Sequence, residues 1–183
     1  MVKVGLLFAQ GTEECEALNV ADILRRAGME LSIISVDGAK KVTGSHDITI
    51  MADETIEEHN FLEDEVLVIP GGMPGTNNIE QNPVAKQAID DLYKAGKYVC
   101  AICAAPKILG HGGYLDGKKA CIYPGLEGEL TGAEVCYEEV VRDGNIITSR
   151  GLGTAIPFAL EIISAVQGKD RADEMAKKIV FRV

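Results

Sequence analysis

Apolar and polar positions along the chain follow two alternating rhythms. Continuous apolar runs over residues 2–9, 31–36, 66–69 and 98–102 read as short strands buried on both faces. Helical spacing fills the gaps between them. In 15–27 the apolar positions are Leu18, Val20, Ile23 and Leu24, and the pattern stops at Gly28. In 82–95, Asn82 stands before Pro83, a capping residue followed by proline at the first helical position. Further helices are expected over 104–111, 153–167 and 171–178, and further strands over 120–123, 135–141 and 146–149. The segments 41–43 and 48–51 read as a β excursion around Gly44.

Strands that alternate with helices imply an α/β fold: a doubly wound, mainly parallel sheet flanked by helices on both faces. No repeat or linker interrupts the pattern, so residues 1–183 are expected to form a single domain. In such sheets the ligand crevice lies beyond the C-terminal ends of the strands. Three loops should meet there, 9–16, 70–76 and 103–106.

Composition adds limits. The 183 residues are 46% apolar and 25% charged, enough for one core and no sign of disorder. The net charge of −10 argues against nucleic acid, whose phosphates call for clustered Lys and Arg. No apolar stretch approaches the length of a membrane span, and residues 1–10 lack the features of a secretory signal, so a cytoplasmic protein is expected. Five cysteines, an odd count, do not read as a disulfide framework. Cys100 and Cys103 form a C-x-x-C, but Cys100 sits inside the apolar run Tyr-Val-Cys-Ala-Ile and reads as a strand residue. Cys121 and Cys136 are isolated in sequence and the three histidines show no ligand spacing, so no metal or other cofactor is expected.

The candidate chemistry lies in the three loops. Cys103 follows the strand over 98–102 and precedes the small residues Ala104-Ala105, a nucleophile position on a tight turn. A helix starting there would favour thiolate, and a drop of ~2–3 pH units would leave it mostly ionised at neutral pH. The plain alternative is a core cysteine. Gly71 and Gly72 give backbone N–H groups room to approach a ligand and hold an oxyanion. Glu13 and Glu14 read as capping and dipole residues at a helix start. Glu16 is placed to point into the crevice, where burial would keep it protonated, able to donate to sulfur and to act as acid and base.

Taken together, Gly11-Thr-Glu-Glu-Cys-Glu16, Leu24-Arg-Arg-Ala-Gly28, Pro70-Gly-Gly72, Ala101-Ile-Cys-Ala-Ala-Pro106 and Thr148-Ser-Arg-Gly-Leu-Gly-Thr154 resemble the ThiJ/PfpI superfamily, and within it the DJ-one branch. The resemblance runs over essentially the whole chain. It implies a flavodoxin-like fold of the class I glutamine-amidotransferase type, a homodimer, and neither metal nor cofactor. It implies Cys103 as nucleophile, Glu16 as its protonated partner, and oxyanion donors at Gly72 and Ala104. Activities implied are a glutathione-independent glyoxalase or deglycase acting on small aldehydes and dicarbonyls such as methylglyoxal and glyoxal. The alternative is a redox-sensing or chaperone-like stress protein in which Cys103 oxidises to a sulfinate.

Departures from the family pattern narrow this. Ala104 stands where protease-like branches carry His after the nucleophile, which argues against a Cys-His peptidase or amidase. Tyr123 stands where some members carry His; with a pKa near 10 it can donate a hydrogen bond but cannot serve as a neutral-pH base. Proton transfer would fall to Glu16, with Tyr123 orienting substrate. Leu152 replaces a common Pro in a loop that tends to reach a partner's pocket, and Arg26 and His46 are further candidate dimer contacts.

Overall fold

The computed structural model describes residues 1–182. Its strands are β1 (Lys3–Phe8), β2 (Glu30–Ser35), β3 (Lys41–Thr43), β4 (Thr49–Met51), β5 (Glu54–Thr55), β6 (Val66–Ile69), β7 (Tyr98–Ile102), β8 (Lys119–Ala120), β9 (Glu134–Val135), β10 (Val140–Asp143) and β11 (Ile146–Ser149). Its α-helices are α1 (Glu14–Arg26), α2 (Gly75–Gln81), α3 (Pro83–Lys94), α4 (Pro106–His111), α5 (Ala155–Gln167) and α6 (Lys169–Lys178).

Seven strands form one sheet in the order β10-β11-β7-β6-β1-β2-β5. Every pairing is parallel except β10 with β11, a hairpin at the edge. Strand residues alternate between two cores, as a sheet covered on both sides requires. Val4, Leu6 and Phe8 pack with Val20 and Leu24 of α1 and with Phe158 and Ile162 of α5. Leu7, Leu67 and Ile69 pack with Ile89 and Leu92 of α3 and with Ile108 and Leu109 of α4. The winding reverses between β1 and β6, and beyond their C-terminal ends the sheet opens a crevice. Among the described residues, no helix is long and apolar enough to cross a membrane.

Four expectations need correction. The helix expected from 104 begins only at Pro106, because Cys103–Ala105 form a turn. The strand expected over 120–123 ends at Ala120, and the one expected over 135–141 is two strands, β9 and β10, separated by an irregular stretch. The helix expected over 153–167 starts as a 3₁₀ turn at Leu152–Thr154 and turns α-helical at Ala155. Helix α2 is an addition. Its sequence, Gly-Thr-Asn-Asn-Ile-Glu-Gln, is poor in helix formers and has no side-chain cap. Packing holds it: Thr76 and Ile79 are fully buried, and Gly75 lies so close to Thr12 that any side chain there would collide with its backbone.

Candidate active site

Cys103 terminates β7 in a left-handed conformation, with φ of 64°. A non-glycine residue rarely adopts that region, and where it does the surrounding structure must hold it there. Here its N–H donates to the Ser149 carbonyl at 3.0 Å, and its own carbonyl accepts from the Tyr123 N–H at 2.9 Å. The elbow aims the sulfur across the crevice towards the loop after β6.

That loop begins with Gly71, and the approach is too close for any other residue. A Cβ on Gly71 would lie 2.5 Å from the Cys103 Cβ, 2.8 Å from Glu16 Oε2 and 3.0 Å from the Cys103 sulfur. Gly72, at φ of 87°, has the Glu13 amide nitrogen 2.3 Å from where its Cβ would stand. Both glycines are therefore required by contact, and Gly72 by conformation as well. Their backbone donors differ. The Gly71 N–H donates to Glu16 Oε2 at 3.0 Å, so it is engaged and not available to a substrate oxygen as the sequence suggests. The N–H groups of Gly72 and Ala104 lie near the Cys103 sulfur and favour its thiolate.

Glu16 comes from the first turn of α1. Glu13 caps that helix, its side chain accepting from the Glu16 N–H at 2.6 Å. Helical spacing then turns Glu16 inwards, where it is 1% exposed and packs with the Cys103 sulfur against Gly71. Burial pushes the Glu16 carboxyl up, and the charge of Glu13 adds to it; Cys103 and the Gly71 N–H pull the other way, and the outcome is a pKa of about 7.

The thiol departs from expectation. It is pushed up to about 12, first by burial and then by the charge of Glu16, against the pull of the Gly72 and Ala104 N–H groups. Two physical reasons replace the expected helix effect. Helix α4 starts three residues downstream and is only one and a half turns long, so its dipole is weak at the sulfur. A carboxylate touches the thiol, and two adjacent buried anions repel. The pair gives up one proton near neutrality and holds the second far into alkali, and a proton on Glu16 removes the repulsion that raises the thiol.

Tyr123 is half exposed on the rim. Its ring lies 3.4 Å from the Cβ position of Gly151, and Glu16 Oε1 lies 4.0 Å from the same point, so Tyr123, Gly151 and Glu16 converge. Leu152, also half exposed, continues that rim. Gly151 is a contributor that the sequence reading passed over. Its position is held by Thr154, whose Oγ1 accepts from the N–H groups of Arg150 and Gly151 at 3.2 and 3.1 Å and bonds Ser149 Oγ at 2.7 Å. A threonine three residues after a glycine was the available signal.

The remaining candidates lie elsewhere. Arg26 is on the surface at the end of α1, paired with Asp22. His46 is on the loop between β3 and β4, with Nδ1 3.2 Å from Glu14 Oε2. Glu14 does more than the capping and dipole role expected of it: it is fully buried and accepts the N–H groups of His46 and Ile48 at 2.8 and 3.3 Å. Glu13, Glu14 and His46 do bring three ligand-type atoms within 4.8 Å of one another, but the carboxylates are engaged in these caps and backbone bonds.

The family model described as the DJ-1/PfpI family matches residues 2–165. The chain belongs to that family. It is 35% identical to the protein dj-1beta of Drosophila melanogaster over 96% of this chain and 95% of that one. Oxidised DJ-1 of Toxoplasma gondii superposes on it with a TM-score of 0.96 at 32% identity, covering the whole of both chains, which confirms the flavodoxin-like DJ-1/PfpI fold. A glutathione-independent glyoxalase of Caenorhabditis elegans, DJR-1.2, is 28% identical over 95% of this chain and 93% of its own.

Proposed function

We propose that this DJ-1/PfpI protein is a cysteine-dependent, glutathione-independent glyoxalase acting on small dicarbonyls such as methylglyoxal and glyoxal. The observation that carries the reading is the Cys103–Glu16 contact: a sulfur and a buried carboxyl brought together against Gly71, with the backbone N–H groups of Gly72 and Ala104 favouring the thiolate. Proton transfer from Cys103 to Glu16 makes the nucleophile without leaving two anions side by side. The sulfur adds to the aldehyde carbon, the C=O electrons move to oxygen, and the oxygen takes the proton held by Glu16. In this reading the N–H groups of Gly72 and Ala104 supply donors to the developing oxyanion. Glu16, ionised again, removes the proton from the former aldehyde carbon and returns one to the neighbouring carbon, while the hydroxyl proton on the former aldehyde oxygen passes to the neighbouring oxygen. This converts the hemithioacetal into a thioester, which water cleaves to the hydroxy acid. Tyr123 orients the substrate from the rim. The relationship to the nematode glyoxalase supports the same substrate class.

The test is lactate formation from methylglyoxal without glutathione. Cys103→Ala and Glu16→Ala should each abolish it, and turnover that persists in Cys103→Ala overturns the reading.

A second reading has its own support. The donors around the sulfur would equally hold the oxygens of a cysteine sulfinate, with protonated Glu16 supplying a third hydrogen bond. In that case Cys103 is a redox sensor, and mild peroxide gives a two-oxygen adduct at Cys103 with negligible aldehyde turnover. Homodimerisation in a reducing, cytoplasmic compartment belongs to the same proposal. Glu14 ties α1 to the β3–β4 loop, and the neighbouring Leu18, Ile48 and Met51 are exposed apolar side chains on those elements. The five cysteines are free.

A further inference from the structure

Cys121 and Cys136, isolated in sequence, are neighbours in space. β8 and β9 run parallel with Ala120 opposite Val135. The Cys136 N–H donates to the Ala120 carbonyl at 2.8 Å, the bond that closes that bridge. Cys121 and Cys136 are the next residues along the two strands, and the Cys136 thiol is near enough to Cys121 to bear on its ionisation. Paired strands stand about 4.8 Å apart, so residues one step past the last bridge fall near the Cα separation of roughly 4.4–6.8 Å that a disulfide spans. Residues in step on paired strands share a face. Ala120 and Val135 turn to the core beneath α3 and α4, so the two cysteines turn together to the opposite side.

Their surroundings differ in a useful way. Cys121 is fully buried, with its sulfur 3.6 Å from Thr148 Oγ1. Burial raises its pKa, while the Thr148 hydroxyl, the Val141 N–H and the Arg150 guanidinium all favour its thiolate. Cys136 is partly exposed, with its sulfur 3.7 Å from the Glu134 carbonyl. An oxidant reaches Cys136, and a sulfur already supplied with stabilising partners stands beside it to resolve the product.

We infer that Cys121 and Cys136 are a second redox site, closing to a reversible disulfide when a hydroperoxide oxidises Cys136. The Cys136 sulfur attacks a peroxide oxygen, the O–O bond breaks, and water (or an alcohol) leaves, giving a sulfenic acid. The Cys121 sulfur then attacks the Cys136 sulfur. The S–S bond forms, the S–O bond breaks, and the hydroxyl leaves as water with the proton from Cys121. Two thiols lose two electrons and the peroxide gains them. The closed ring contains Tyr123, whose N–H holds the Cys103 carbonyl, so the bond would tether the segment that braces the nucleophile. The inference does not depend on aldehyde chemistry at Cys103.

The experiment treats full-length Cys103→Ser protein with a slight excess of hydrogen peroxide, then denatures, alkylates and maps it without reductant, with the wild type in parallel. The expected result is a mass lower by two hydrogens, a peptide pair joined through Cys121 and Cys136, and recovery of both thiols with dithiothreitol. Cys136→Ser, at the partly exposed position, should abolish the joined pair. Cys121 and Cys136 both remaining alkylatable, a bond to any other cysteine or between two chains, or Cys136 stopping at an oxygen adduct would each overturn the inference. The wild-type map decides the matter if the serine variant does not fold.

Discussion

Glu14 and Glu16 stand two residues apart in the first turn of one helix, and both are buried, at 0% and 1% exposure. Their chemistry is opposite. Glu14 accepts from its own backbone N–H and from those of His46 and Ile48, and these bonds hold its carboxyl below the usual range although burial pushes it up. Glu16 accepts one backbone N–H, from Gly71, and meets a thiol with its other bond, so burial wins and the carboxyl rises to about 7. Each lies against a glycine that leaves room for it: a Cβ on Gly44 would stand 2.3 Å from Glu14 Oε1, and one on Gly71 would stand 2.8 Å from Glu16 Oε2. Burial alone therefore does not make a catalytic acid. Depth of burial together with the number of donors facing the carboxylate decides whether its pKa falls or rises.

The sharpest way to break this comparison is activity. Glu16→Gln removes the proton carrier and should lower kcat/KM for methylglyoxal by about 10³-fold, within the usual span of general acid–base contributions. Glu14→Gln touches no reacting atom and should leave kcat within a few-fold in protein shown to be folded. Lactate formation on both variants checks the pair, and equal losses would mean that the two glutamates are not functionally distinct.

Stability should separate them in the reverse order. Glu14→Ala strands the part-buried N–H groups of His46 and Ile48 and should cost about 1–3 kcal/mol in urea unfolding at pH 7. Glu16→Gln should instead stabilise. A carboxyl whose pKa goes from 4.5 to about 7 on folding favours the folded state in its protonated form. That contribution is complete below about pH 4.5 and is lost as pH rises through about 7, a difference worth about 3 kcal/mol. At pH 8 the glutamine variant should thus exceed the wild type by up to that amount, with the gap closing towards pH 4.5. For Glu14 the sign reverses: its folded pKa is lowered, so its contribution is present above the unfolded value and fades as pH falls. Parallel pH profiles for the two glutamine variants would refute the donor-count argument.

How much of this contrast the sequence could reveal follows from where the partners lie. The buried strands are local apolar runs, and β6 and β7 have the bounds that their runs imply. Glu16 could be placed because its turn and the Cys103 elbow both fall at the C-terminal edge of the sheet. Glu14 could not, because its donors come from residues more than thirty positions away, in a loop with no apolar pattern to locate it. The raised Cys103 thiol was hidden for a related reason. Strand followed by small residues suggests a helix start at the sulfur, whereas Pro106 sets the start three residues later and a carboxylate from α1 fills the space. Helix α2 was missed because its residues favour turns and only burial against the loop after β1 makes them helical. Cys121 and Cys136 look unrelated until the β8–β9 register is known.

The glycines give a smaller and more local contrast. Gly71→Ala forces the Cys103 and Glu16 side chains to move, and overpacking of this kind costs ~1–3 kcal/mol. Because the displaced groups are the reacting ones, activity should fall at least tenfold more than in Gly44→Ala, whose added methyl displaces only Glu14. Stability losses should be similar, so the ratio of activity to folded fraction is the measurement that distinguishes the two.

The smallest effect tests which donors anchor Glu14. His46 offers two: a backbone N–H at 2.8 Å and a ring nitrogen at 3.2 Å. The ring is 70% exposed, and an ion pair at such a surface contributes little because water and salt screen it. The backbone donor survives any substitution that keeps the loop in place. His46→Ala should therefore cost no more than about 0.5 kcal/mol, with little sensitivity to salt. A loss of several kcal/mol that shrinks in high salt would show that the imidazole, rather than the backbone amides, fixes Glu14, and the difference between the two glutamates would then rest on a charge pair instead of on backbone donors.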